Sequence, residues 1–341
     1  MRRLSQKAIQ DLTCKKRDAW WTVALVDPVA TRLVRTVAFW KWVTPNRVTW
    51  ASLFVGLGAA YCFSRADWNW LALGALLYHV SFILDCVDGK LARLTGNGTV
   101  FGAWLDYVFD RIRVMLCAIA LMGGQYWRTG NEIYLLGALA VVFLDMLRYV
   151  DSLQIYKMRI SMRRKIENLM EERKGADGEG AEVVFIEDLL RENPGLNVAC
   201  MKEKTGEVVD LHAQFRSRFP WYARVRTALV SRRIRPHLVS GIEFQMAVFI
   251  VGPLLGQIVA TTAAAGLLLG LFELAIMYKF WLSTRDFTRV VEGLSTEGTS
   301  TGIPATAFRG RHRGASSGGR DWVGARLDIA NSTNAMERVG A

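Results

Sequence analysis

The sequence predicts an all-α integral membrane protein with six transmembrane helices and an N-terminal interfacial amphipathic helix. Three observations lead there. Hydrophobic residues make up 51% of the 341-residue chain. Six windows, at about residues 48–64, 69–92, 99–122, 132–150, 242–259 and 261–282, approach the roughly 20 apolar residues a spanning helix needs. Basic residues collect at one set of loops and are sparse at the other, the asymmetry expected of cytoplasmic and external sides.

The chain start, "MRRLSQKAIQDLTCKKRDAWW", has no apolar run before a small-residue cleavage site, so no removable signal is expected. The segment "RDAWWTVALVDPVATRLVRTVAFWKWVTPNRVT" mixes Trp20, Trp21, Trp40 and Trp42 with Arg32, Arg35 and Lys41. A soluble amphipathic helix could share its period, but four tryptophans favour the headgroup layer. The turns "SRADWN" and "GGQYWRTGNE" hold one Arg each, whereas Arg2, Arg3, Lys7, Lys15, Lys16 and Arg17 precede the spans and Lys157, Arg159, Arg163, Arg164 and Lys165 follow the fourth. Both termini are therefore expected on the cytoplasmic side of the cytoplasmic membrane.

The organisation that follows is residues 1–43, N-terminus and interfacial helix; 44–150, four spans; 151–241, a polar cytoplasmic insert; 242–283, two spans; and 284–341, a tail rich in Gly, Ser, Thr and Arg expected to be mostly disordered. In the insert, "RSRFPWYARVRTALVSRRIRPH" with Trp221 and Tyr222 is expected against anionic headgroups. A net charge of +12 would also suit nucleic acid, but several long apolar runs exclude that class and assign the charge to anionic lipid. The five cysteines form no C-x-x-C pair, so they read as packing residues.

The chemistry lies in "LDCVDGKLARLTGNGTVFGAWLDYVFDRIR", residues 84–113, which sets Asp85, Asp88, Asp106 and Asp110 inside two adjacent spans. Charged side chains at that depth are costly and persist where they meet a cavity, a metal or one another. Each pair occupies one helix face. Asp85 lies roughly 12 Å before Arg93 and Asp106 roughly 12 Å beyond Gly98. On antiparallel helices around the turn "LTGNGT", the four carboxylates can converge. All-oxygen ligation suits Mg²⁺ or Mn²⁺, which commonly join carboxylates to phosphates. Gly89, Ala92 and Gly102 leave room for a ligand or allow close helix packing.

On a helical wheel Arg113 lies about 20° from Asp106 and 60° from Asp110, facing the same cavity, while Arg111 is rotated further away. Arg113 either meets a phosphate group in that cavity or neutralises surplus carboxylate. Arg148 and Lys157 either bind a phosphate group or snorkel to headgroups. Glu243 and Glu273 read as helix-end or packing residues.

Residues Asp85, Asp88, Gly89, Ala92, Arg93, Gly102, Asp106 and Asp110 complete the pattern D-x2-D-G-x2-A-R-x8-G-x3-D-x3-D. This resembles the signature of the CDP-alcohol phosphotransferase family, also called CDP-alcohol phosphatidyltransferases, and "TPNRVT" at 44–49 resembles the family's entry sequence. The resemblance covers roughly residues 30–150 and 240–283 and excludes the insert and tail. It implies Asp85, Asp88 and Asp106 as ligands of Mg²⁺ or Mn²⁺, two ions in all, and Asp110 as general base. It also implies Gly89 and Ala92 as space for cytidine, Arg93 near the nucleotide phosphates, Gly102 beside the donor, the cavity as the acceptor site, where Arg113, Arg148 or Lys157 would meet a phosphorylated acceptor, and a homodimer. The implied reaction is transfer of a phosphatidyl group from CDP-diacylglycerol, a membrane lipid, to an acceptor such as inositol phosphate or glycerol 3-phosphate, releasing CMP in phospholipid biosynthesis. Transfer of a head group from a soluble CDP-alcohol to a lipid alcohol shares the motif. A divalent-cation transporter would need a polar path through the whole bilayer.

Overall fold

A computed structural model of the chain describes residues 5–40, 42–177, 184–192 and 208–300. Helix α1 (Gln6–Thr13) starts at Ser5, whose hydroxyl accepts from Ala8 N. A π-helical turn, Thr22–Val26, leads into α2 (Asp27–Val37). Residues Asp27, Ala30, Thr31 and Val34 of α2 are buried and the helix packs on α4, while Leu25, Val29, Leu33, Trp40 and Trp42 are exposed.

Three long helices follow: α3 (Pro45–Ser64), α4 (Trp68–Thr95) and α5 (Val100–Thr129). Pro45 suits the first turn of α3, where its missing N–H costs nothing. Small residues bring the three together, as expected where helices meet in lipid. A Cβ added to Gly74 would lie 2.7 Å from the Phe63 ring, and one on Gly124 would lie 2.8 Å from the carbonyl oxygens of Phe63 and Ser64. The core beside them holds Phe63, Tyr78 and Phe249, with the Tyr78 and Phe249 ring centroids 4.6 Å apart.

Helix α6 (Ile133–Asp177) passes without a break through the boundary expected at 150. In the insert, a two-residue parallel pair, β1 (Val184–Phe185) with β2 (Val208–Val209), is a minor addition to the all-α fold; its β-branched residues favour a pleated surface. Short helices α7 (Ile186–Glu192), α8 (Ala213–Arg218) and α9 (Pro220–Ser231) complete the described insert. Helix α10 (Gly241–Met246) opens with a capping box, Ser240 with Glu243, so Glu243 is a helix-end residue. It runs through a π-helical turn (Ala247–Val251) into α11 (Gly252–Leu255), and α12 (Ile258–Ser300) closes the described chain, crossing the boundary expected at 283.

The extensions of α6 and α12 enclose a second small core. Ile166, Met170, Phe185, Val209 and Leu211 pack there against Phe287, Val290, Val291 and Leu294. The basic run therefore belongs partly to a folded unit: Tyr222 packs edge-on to Phe215, while Trp221 is exposed. The tail beyond residue 300 lies outside the described residues.

Among the described residues, three helices are long and apolar enough to cross a membrane: Trp68–Thr95, and the stretches Ile133–Glu172 of α6 and Ile258–Leu294 of α12. Polar and charged residues dilute α3 and α5, and the 241–255 unit is short. Gly124→Ala should therefore weaken the α3–α5 contact and cost about 1–3 kcal/mol, read as a lower unfolding midpoint in detergent. Gly123→Ala, which meets open space, should leave that midpoint unchanged.

Candidate active site

The turn after α4 sets the site's geometry. Gly96 ends α4 in the left-handed region at φ 68°, a conformation glycine adopts without steric cost, and Thr99 caps α5 by accepting from Gly102 N at 2.9 Å. The helices return side by side, with Asp85 and Asp88 on α4 and Asp106 and Asp110 on α5.

Asp88 is buried, and its Oδ2 accepts from Thr49 Oγ1 of α3 at 2.5 Å. The "TPNRVT" segment thus supplies a direct contact to the acidic hairpin. Asn46 of the same segment lies against Gly102, where an added Cβ would come within 2.7 Å of its Oδ1. Gly102 is therefore held small by packing. Around Gly89 a Cβ would meet only the Arg93 guanidinium, at 3.7 Å, so space remains open there.

Arg113 joins the three helices. It is 2% exposed, and its Nη1 donates to Ser52 Oγ at 2.8 Å, Ser81 Oγ at 3.1 Å and Asp85 Oδ1 at 3.3 Å, while Nη2 donates to Asp110. Gly56 makes room for its stem, since a Cβ there would lie 2.7 Å from Arg113 Cδ. Its guanidinium is turned to carboxylates and hydroxyls, the geometry of neutralisation.

Arg111 departs from its expected place. Nη2 donates to Asp110 and Nη1 to Asp145 of α6, because a long side chain spans the angle that separates its Cα from the acidic face. Asp145 also accepts from Gln245 Nε2 at 2.8 Å, and Gln245 Oε1 accepts from Tyr78 OH at 3.2 Å. Asp110 is therefore fixed through a chain of buried polar contacts to α6, α10 and α4. The sequence offered one sign of this chain, an acid, Asp145, deep inside the apolar window 132–150.

Five carboxylates face two guanidiniums in this region. Neither Asp88 nor Asp106 pairs with a cationic side chain among the described residues, and Asp106 Oδ1 is buried without a hydrogen-bond partner. Buried negative charge without a counter-charge is costly, so this donor set fits a hard divalent cation. Among the described residues the acids are not drawn into a ready coordination cluster; Arg113 bridges Asp85 and Asp110.

The other cationic candidates form no ion pair with the four acids among the described residues. Arg93 Nε donates to Thr13 O of α1 at 2.7 Å, Arg148 pairs with Glu273 at 3.0 Å, and Lys157 is exposed. Lys90, next to this cluster on α4, forms a buried pair with Asp27 at 2.9 Å, which Arg233 also reaches at 3.2 Å. A neighbouring strap ties residues 18 and 233–235: Asp18 N donates to Arg233 O, and Arg235 pairs with Asp18 at 2.7 Å. Burial pushes the Asp18 carboxyl up, but the Arg235 guanidinium outweighs it and leaves the pKa lowered.

Residues 42–172 match the model of the CDP-alcohol phosphatidyltransferase family. The archaetidylinositol phosphate synthase of Pyrococcus horikoshii is 36% identical over 87 residues, 25% of this chain and 45% of that protein. The phosphatidylinositol phosphate synthase of Corynebacterium glutamicum is 35% identical over 88 residues, 26% of this chain and 37% of that protein. The CDP-diacylglycerol–glycerol-3-phosphate 3-phosphatidyltransferase of Cereibacter sphaeroides is 31% identical over 86 residues, 24% of this chain and 38% of that protein. The match spans less than half the length of each of these relatives. Residues 42–172, which hold the whole acidic hairpin, are thus similar to the CDP-alcohol phosphatidyltransferase family.

Proposed function

We propose that the protein is a phosphatidyltransferase of the membrane that moves a phosphatidyl group from CDP-diacylglycerol to the hydroxyl of a phosphorylated polyol and releases CMP. The observation that carries this reading is the hairpin itself, four carboxylates with a surplus of buried negative charge and an unpartnered Asp106 Oδ1. Inositol phosphate is the preferred acceptor, supported by the names of the Pyrococcus and Corynebacterium relatives, with glycerol 3-phosphate next, supported by the Cereibacter one.

Asp85, Asp88 and Asp106 would hold Mg²⁺ or Mn²⁺, which when bound neutralises the pyrophosphate and the leaving CMP. The open space at Gly89, with the small Ala92 about one turn further on, would admit the cytidine. Asp110 takes the proton of the attacking hydroxyl as its oxygen bonds to the phosphorus next to diacylglycerol and the bond to CMP breaks. Arg111 and Arg113 hold the Asp110 carboxylate in place. We place the six spans at α3, α4, α5, α6, the α10–α11 unit and α12, with the site and both termini cytoplasmic, on the support of the basic-residue distribution. The segment around α2 then lies in the interface, its exposed Trp40 and Trp42 toward headgroups.

Purified protein given CDP-diacylglycerol and Mg²⁺ should release CMP when inositol phosphate is added, and a chelator in excess should stop it. Release with no acceptor in a broad panel of polyols and their phosphates would contradict transfer. Asp110→Asn should lower turnover by about 10² to 10⁴ with donor and Mg²⁺ affinity kept, whereas Asp106→Asn should lose both; equal loss of binding in the two would make Asp110 a ligand. Asp145→Asn removes the charge facing Arg111 at constant shape. It should reduce kcat about tenfold with KM for CDP-diacylglycerol unchanged, and an unchanged kcat would show that the polar chain does not position Asp110.

A further inference from the structure

Outside the acidic hairpin, the second small core carries a basic cleft of about 370 Å³ between α8 and the polar extension of α12, lined by Gln214, Ser217, Arg218, Leu282, Arg285 and Arg289. Three arginines face one acid there. Asp286 is buried on the inner side, where it accepts from Gln214 N at 3.0 Å and lies 3.9 Å from Arg289. Arg285 makes no ion pair with a described residue; its guanidinium lies over the Trp281 ring, 5.1 Å from the centroid. Arg218 donates to the Tyr278 hydroxyl. Gln214 Nε2 is buried without a hydrogen-bond partner, a donor left over at the cleft.

Surplus guanidinium, a hydroxyl and a spare amide donor are the groups that hold a phosphate. The position adds to this. Trp281 and Trp221 are about half exposed and Tyr278 is partly exposed, as aromatic residues are at headgroup level. Arg285 and Arg289 follow Trp281 by roughly 6 and 12 Å along the helix axis.

We propose that this cleft binds a phosphate group through Arg218, Arg285, Arg289 and the Gln214 amide. Two sources share that chemistry, an anionic phospholipid headgroup and a free phosphate. The cleft shares no residue with the acidic hairpin, and its occupancy stands whether or not the proposed reaction is correct.

The test uses the full chain in phosphatidylcholine nanodiscs with a minor fraction of phosphatidic acid, counting retained phosphatidic acid by native mass spectrometry. Removing two basic contacts in Arg285→Gln/Arg289→Gln should weaken retention about 30-fold, at about tenfold or less per charge. The charge-keeping Arg285→Lys/Arg289→Lys should retain most of the lipid, which separates loss of the site from loss of the fold. Arg164→Gln/Lys165→Gln, an exposed basic pair on the polar extension of α6, should retain lipid as wild type. Displacement of the lipid by inorganic phosphate would identify free phosphate as a competent occupant; retention against it would identify the lipid headgroup. Wild-type retention in the Arg285→Gln/Arg289→Gln protein, or equal loss in the α6 pair, would overturn the proposal.

Discussion

Burying carboxylates between apolar helices is the constraint on which the rest of the site depends. An isolated ionised acid in such surroundings is too costly to persist, and truncating one partner of a buried ion pair typically costs about 3–5 kcal/mol. The hairpin carries four acids, and Asp145 adds a fifth. Arg113 answers Asp85 and Asp110, and Arg111 answers Asp110 and Asp145. Asp88 has a hydroxyl and Asp106 has an unpartnered oxygen, and these are the carboxylates whose charge the proposed cation would compensate.

Much of the surrounding packing follows from placing Arg113. A fully buried guanidinium needs acceptors, and Ser52 and Ser81 accept from its Nη1 from α3 and α4. Its stem needs volume, which Gly56 leaves. The same economy of small residues recurs at Gly74 and Gly124, where helices meet ring or backbone directly. Hydroxyls and glycines in α3 thereby serve an arginine on α5, and the acids are oriented by residues outside the signature.

The hairpin was legible because its information is local: two acid pairs at helical spacing, a glycine-rich turn between them and a strict rise per residue. Arg111 was misread for a general reason. A wheel angle gives the direction of Cβ, and a side chain as long as arginine can cross from its own face to the next. Helix α6 outran its apolar window because "MRRKIENLMEERK" is made of good helix formers, so apolarity ended before helicity did. The second core could not be read from the sequence, since it depends on contacts between residues as distant as Ile166 and Phe287. Arg148 was visible as a cation near a span end, but its partner Glu273 lies in another helix, beyond the reach of any local pattern.

The central claim is that the carboxylate surplus is balanced by a divalent cation. Electron paramagnetic resonance of Mn²⁺ titrated into the purified protein, with a CDP-bearing nucleotide present, tests it most directly. The account predicts that the free Mn²⁺ signal is depleted by the wild-type protein in a saturable way and that Asp106→Asn abolishes the depletion. A wild-type protein that leaves the free Mn²⁺ signal unchanged would contradict it.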